Sequence, residues 1–310
     1  MNNESTAMDT AITLIDVHYT RPQLVGCYLL QQGDEVAVIE TGTAPALAYV
    51  DAALRQRGIS DSQVRYVIPT HVHLDHAGAS GQMMQRFSEA TLLAHPRGAR
   101  HLIDPQKLIE GTIAVYGEAN FSRIYGELLP VAATRVREIS DGECYDLGGR
   151  TLQVFDTPGH ARHHFVVWDA QSRGIFSGDI FGLGYPELRR AGAQMVILPS
   201  TPVQFEPQVW HQTLDRLLTL APQRIYLTHF GMAESPAALV AQLHQQLDDY
   251  VELAEADQSE AELLQVLLDY QWQRATAMGF TFDKAAFSAL FKFDMGLCAQ
   301  GLRVWRERQR

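Results

Sequence analysis

Thr70-His71-Val72-His73-Leu74-Asp75-His76-Ala77-Gly78 puts three imidazoles and a carboxylate into six residues, directly after the apolar run Val64 to Ile68. In extended backbone, side chains two positions apart point the same way, so His71, His73 and Asp75 can converge on one point. His76 then lies beside them where the chain turns towards a helix. Neutral imidazole suits zinc, iron and manganese-like ions, and carboxylate adds an anionic oxygen, so this density reads as a metal-binding cluster. A helix cap at Asp75 would account for one residue and leave three histidines unexplained.

Outward from this stretch, short runs rich in Val, Ile, Phe and Tyr predict strands at Val25 to Leu30, Glu35 to Ile39, Val64 to Ile68, Thr91 to Ala94, Thr151 to Phe155, Phe165 to Trp168, Gly174 to Ser177 and Arg224 to Leu227. Helical spacing appears between them over Ala44 to Arg57, with Gly58 as a stop signal, and over Phe205 to Leu220. Strands with interleaved helices predict a layered α/β domain. Residues 97–131 read as a helical insertion. After Pro236 the strand signals end, and Leu239 to Glu255, Glu260 to Ala277 and Lys284 to Arg306 read as three helices. The expected organisation is a catalytic domain over residues 1–234 and a helical extension over 235–310.

Further candidate ligands follow predicted strands: His160 in Thr157-Pro158-Gly159-His160, Asp179 in Ser177-Gly178-Asp179, and His229 in Leu227-Thr228-His229-Phe230-Gly231. Each stands beside Gly or Pro, where the backbone can bend to present a side chain, and ligands from several strand ends make a site on a rigid frame. The ordered set His71, His73, Asp75, His76, His160, Asp179 and His229 resembles the metallo-β-lactamase-fold hydrolase superfamily over roughly Leu14 to Ala233. The resemblance implies a four-layer αβ/βα sandwich holding two divalent metal ions, zinc first and iron or manganese as the other candidates. It implies that His71, His73 and His160 hold the first ion, that Asp75, His76 and His229 hold the second, and that Asp179 bridges them. The family usually carries Asp-x-Gly as a support for the ligating imidazoles; here the place reads Glu40-Thr41-Gly42, with the longer Glu40.

Two divalent cations, two carboxylates, neutral imidazoles and one hydroxide leave about +1 at such a centre, which favours an anionic transition state. A metal-bound water with its pKa lowered to roughly 7 would attack a carbonyl carbon, with Asp75 or Asp179 accepting the proton. The expected activity is metal-dependent hydrolysis of a small ester, lactone or thioester, without a covalent protein intermediate. Phe181, Tyr185, His164 and the inserted Tyr116, Phe121 and Tyr125 are the candidates for the substrate pocket. The rival readings are an iron-containing redox member of the same fold, diiron or persulfide-dioxygenase-like, and a metal-binding regulatory module with little turnover.

Composition narrows the partners. The chain has 310 residues and is 46% apolar, enough for a sizeable core. Lys and Arg number 25 against 36 Asp and Glu, a net charge of −11, which disfavours nucleic acid and anionic membranes and leaves a small-molecule substrate. The polar start, the lack of a long apolar run and three scattered cysteines predict a cytoplasmic setting. The helical tail is expected to be dispensable for metal content, while shaping the pocket or a homodimer contact.

Overall fold

Val36, Ala37, Val38 and Ile39 are wholly buried in the computed structural model, which describes residues 9–256 and 258–310 without the side chains of residues 115 and 116. A strand with no exposed face needs cover on both sides, as the strands of parallel sheets do. The chain divides into two units, one reaching residue 156 and including 166–176, the other comprising 157–165 and 177–310.

In the first unit, β1 (Ile12–Asp16), β2 (Gly26–Gln32) and β3 (Glu35–Ile39) are antiparallel neighbours. From β3 onward the sheet is parallel through β4 (Val64–Ile68), β5 (Thr91–Ala94) and β6 (Val136–Glu138). Ile39 pairs with Ile68 at the carboxyl ends of β3 and β4, and the Glu40 N–H continues the ladder by donating to the Ile68 carbonyl at 3.0 Å. The loops carrying Glu40 and the histidine cluster therefore leave the sheet side by side. Helix α1 (Ala46–Gln56) buries Ala46, Val50 and Leu54, one side chain per turn, and Gly58 follows its end at φ +67°. The histidine cluster runs into the short α2 (Leu74–Ala77), followed by α3 (Ser80–Arg86).

The insertion folds as α4 (Pro96–Ile103), α5 (Gln106–Tyr116) and α6 (Glu118–Tyr125). Phe121 and Tyr125, named above as pocket candidates, are buried in this unit's hydrophobic core with Met83, Phe87 and Leu102. Apolar rings at helical spacing gain most by such burial. The Tyr116 side chain lies outside the described residues. Strands β7 (Cys144–Leu147), β8 (Arg150–Asp156), β9 (Phe165–Asp169) and β10 (Gly174–Phe176) follow in spatial order β10-β9-β8-β7.

The second unit carries a short ribbon of β11 (Arg189–Arg190) and β12 (Ala193–Gln194), helix α7 (Pro207–Leu218), and the hairpin of β13 (Arg224–Leu227) and β14 (Gly231–Glu234). Three helices complete it: α8 (Pro236–Glu255), α9 (Glu260–Ala277) and α10 (Lys284–Gln309). Ser259 and Glu262 cap α9 reciprocally, the Ser–x–x–Glu signature of a helix start. In α10 the buried Phe287, Phe291, Met295, Cys298 and Leu302 follow helical spacing along one stripe. Among the described residues no helix is long and apolar enough to cross a membrane, and the three cysteines are free.

Candidate metal centre

In the first unit, burial of Val72, Leu74 and Ala77 anchors the loop after β4. The hydrogen bonds then decide which imidazole nitrogens keep a lone pair. Thr70 has one hydroxyl proton, and it donates it to Glu40 Oε1 at 2.7 Å, while the Thr70 N–H donates to Glu40 Oε2 at 3.1 Å. The hydroxyl oxygen is left to accept from His71 Nδ1–H at 3.1 Å. Likewise His76 Nδ1–H donates to Glu40 Oε1 at 2.9 Å. In the neutral ring both Nε2 atoms are then the unprotonated ones, the form that binds a metal. His71 Nε2 lies 2.9 Å from His73 Nδ1, and Asp75 Oδ2 lies 3.6 Å from His76 Nε2. Two imidazole nitrogens sharing one tetrahedral zinc ion would be about 3.3 Å apart, so His71 and His73 need only a few tenths of an ångström to meet that spacing.

Glu40 does this while buried and with φ at +65°, a left-handed conformation that costs a non-glycine residue on the order of 1–3 kcal/mol. Its three hydrogen bonds offset that strain and spread one carboxylate over Thr70 and two turns of the cluster. Glu40→Gln, which replaces one of the two acceptor oxygens by a donor, is expected to weaken metal affinity by about 10- to 100-fold with the fold intact. Chelator competition measures it, and unchanged affinity would reduce Glu40 to a packing role.

The second unit holds Asp179, His160 and His229. Asp179 is buried with Oδ2 at 3.3 Å from His160 Nε2 and Oδ1 at 3.4 Å from His229 Nε2, one oxygen turned to each ring. His160 Nδ1–H donates to the Pro199 carbonyl at 2.9 Å, so its Nε2 is again the unprotonated nitrogen. His160 follows Gly159, where a Cβ would lie 2.5 Å from the Cβ of Trp210, a contact only glycine avoids. His229 sits in the β13–β14 turn, with the edge of Tyr185 against it at a ring separation of 6.1 Å.

Of the pocket candidates in this unit, Phe181 and His164 are wholly buried and Tyr185 nearly so. His164 is engaged by the protein: its Nδ1–H donates to Thr157 Oγ1 at 2.7 Å, and its Nε2 accepts the Asp179 N–H at 3.2 Å. It holds the aspartate's backbone, and both ring nitrogens are already used. Tyr185 donates to Asp294 of α10 at 3.2 Å. The buried cysteines offer no nucleophile. Burial first, and the Glu40 carboxylate second, push the Cys27 thiol well above its ordinary value, and burial pushes Cys298 up to about 12.

Among the described residues, the His and Asp side chains placed so that they could hold a metal are His71, His73, Asp75 and His76 in the first unit and His160, Asp179 and His229 in the second. Their chemistry fits a cation: imidazoles with fixed tautomers, and carboxylates. The residues that sequence reading missed are Thr70 and Pro199, because a hydroxyl or a backbone carbonyl that orients a ring leaves no spacing signal.

Residues 21–229 match the family model of the metallo-beta-lactamase superfamily. The metallo-beta-lactamase fold-containing protein ST1585 of Sulfurisphaera tokodaii is 29% identical over 186 residues, 59% of this chain and 66% of that protein. Human acyl-coenzyme A thioesterase MBLAC2 is 25% identical over 170 residues, 49% of this chain and 57% of that protein. The chain thus spans less than two thirds of the length of these two relatives. Among solved structures, ST1585 superposes with a TM-score of 0.65 at 21% identity, covering 96% of this chain and 99% of that one. TTHA1429 from Thermus thermophilus, a metallo-beta-lactamase family protein, gives 0.67 at 22% identity, covering 98% and 95%. At such identities the structures speak to fold alone, and they show the expected α/β sandwich with a C-terminal helical region.

Proposed function

The chain belongs to the metallo-beta-lactamase superfamily, and from that premise we propose that it is a two-metal hydrolase of a small carbonyl substrate. His71, His73 and His160 are assigned to one ion, Asp75, His76 and His229 to the other, and Asp179 to both. The observation that carries this reading is a shared placement of the rings: Nδ1 of His71, His76 and His160 each lies within hydrogen-bond distance of a protein oxygen, which in the neutral ring leaves Nε2 as the lone-pair nitrogen. Histidines held only for packing have no need of that uniformity.

Two bound divalent ions would supply Lewis acidity and a water acidic enough to ionise near neutrality. The chain's own residues do the rest. Asp75, whose side chain is about a quarter exposed, accepts the proton lost when water adds to the carbonyl and returns it to the departing alkoxide or thiolate. Asp179 is held at its backbone by His164, which keeps its carboxylate aimed while charge develops. Thioesters are the first class to test, because one relative bears the name of an acyl-coenzyme A thioesterase. The acidic chain and its free cysteines fit a small-molecule substrate in a cytoplasmic setting.

Elemental analysis of the purified protein, paired with a panel of thioesters, lactones and aryl esters, tests the reading. The expected result is about two metal ions per chain, with hydrolysis of one class that chelation removes. Iron-loaded protein that consumes oxygen and hydrolyses none of the panel would overturn it in favour of redox chemistry.

A further inference from the structure

Helix α8 turns a polar pair, Gln246 buried and Gln242 partly so, towards a face where an amphipathic helix ordinarily places leucine. Gln242 and Gln246 stand one turn apart and face the extended segment from Gln194 to Leu198. Gln242 Nε2 donates to the Gln194 carbonyl at 2.9 Å, and its Oε1 accepts the Val196 N–H at 3.2 Å. Gln246 Nε2 donates to the Val196 carbonyl at 3.0 Å, and its Oε1 accepts the Leu198 N–H at 3.0 Å. Four residues of helix rise about 6.0 Å and two residues of strand about 6.6 Å, so the two amides meet alternate residues of the segment in register. They satisfy the edge of the segment that faces α8, while its other edge is bonded to Leu188 and Leu183.

The second rung is itself fixed from behind. Gln246 is wholly buried, and Gln271 of α9 donates to its Oε1 at 2.8 Å and to the Tyr250 hydroxyl at 2.8 Å, while Arg274 donates to Gln271 Oε1 at 2.7 Å. Buried amides are costly unless every group is satisfied, and a satisfied network specifies one geometry. Immediately beyond Leu198 comes Pro199, whose carbonyl orients His160. Proline has one fixed backbone angle and no N–H, so with Leu198 held, the carbonyl direction depends on a single torsion. The far side is clamped as well: a Cβ at Gly301 of α10 would lie 1.8 Å from the Ser200 carbonyl oxygen, so the helix backbone packs directly on the next residue.

We propose that Gln242 and Gln246 are positioning residues of the metal centre, fixing the Pro199 carbonyl and through it the tautomer and aim of His160. The proposal rests on the reading of His160 as a ligand. It also reverses the expectation that the helices after Pro236 are dispensable for metal content.

The test uses the full chain loaded with zinc. Gln246→Leu keeps the side-chain bulk and deletes the second rung. It is expected to weaken binding of one of the two ions by about 10- to 100-fold in chelator competition, leaving the other unchanged. In nitrogen-15 NMR spectra the His160 Nδ1–H resonance should lose its protection from exchange. Leu267→Ala, a core truncation on α9, should lower thermal stability while leaving both affinities and the resonance as they are. Should Gln246→Leu fail to fold, Gln242→Leu carries the same reading. A folded variant with both affinities unchanged, or an equal loss in Leu267→Ala, would overturn the proposal. His160→Ala run in parallel separates the two ideas: if it keeps both ions, the ligand assignment fails, and if it loses one while Gln246→Leu keeps both, only the positioning role fails.

Discussion

Asp179→Ala is expected to lose metal and turnover together, with hydrolysis falling by well over about 100-fold, because removing groups that merely orient ligands already costs 10- to 100-fold. The carboxylate lies between two imidazoles, at 3.3 Å from His160 and 3.4 Å from His229. Without it the two rings share no anion, and a divalent ion bound there would lack charge neutralisation in a buried site. The same argument predicts little loss, or a gain, in the thermal stability of chelated protein, since the substitution removes a buried negative charge. Metal per chain, initial rate and melting point measured on one preparation check all three. Full metal content with a normal rate would refute the assignment of Asp179. His73→Ala should behave alike through the opposite half of the donor set.

These residues were legible because the chemistry of a ligand is written in its residue type. The strands that carry the first-unit loops were legible for a different reason. Glu35 to Ile39, Val64 to Ile68 and Thr91 to Ala94 are predicted and observed over the same residues, and nearly all their side chains are buried. Continuous burial leaves a continuous apolar run. Where a strand is short or half exposed the signal fades: Val136-Arg137-Glu138 of β6 and the alternating Cys144 to Leu147 of β7 carry too few apolar residues to stand out. The aromatic residues of the insertion were ambiguous for a related reason. A ring looks the same in a sequence whether it lines a pocket or fills a core, and Phe121 and Tyr125 fill one. The supports of the histidines were the least legible. Glu40 was visible as a departure from Asp, but its reach to Thr70 and His76 depends on the parallel pairing of Ile39 with Ile68. Likewise the bond from His160 to Pro199 joins residues 39 apart through a backbone oxygen that every residue possesses.

Arg150→Met is the stability experiment with the largest expected effect, a loss of about 3–5 kcal/mol. Arg150 and Asp169 are both buried, Arg150 in β8 and Asp169 at the end of β9. Nε donates to Asp169 Oδ1 at 2.9 Å and Nη2 to Oδ2, the two-pronged geometry that a guanidinium offers and an ammonium does not. Nη2 also donates to Asp9 at 3.0 Å. Burial alone would lower the Arg150 pKa, but the bonds and charge of Asp169, and then of Asp9, carry it above its ordinary value. Methionine fills similar space but strands the Asp169 carboxylate with only the N–H groups of Gln171 and Ser172, at 3.3 and 3.1 Å. An unpaired buried anion is worth far more than the pair ever contributed, so the double variant Arg150→Met with Asp169→Leu should recover most of the loss. Urea titration of the single and double variants gives the coupling directly. Metal content of the folded single variant should match the parent, because neither residue touches a histidine of the centre. A single variant within about 1 kcal/mol of the parent would mean that the carboxylate finds water or another cation when Arg150 is gone, and that β8 and β9 do not depend on this pair.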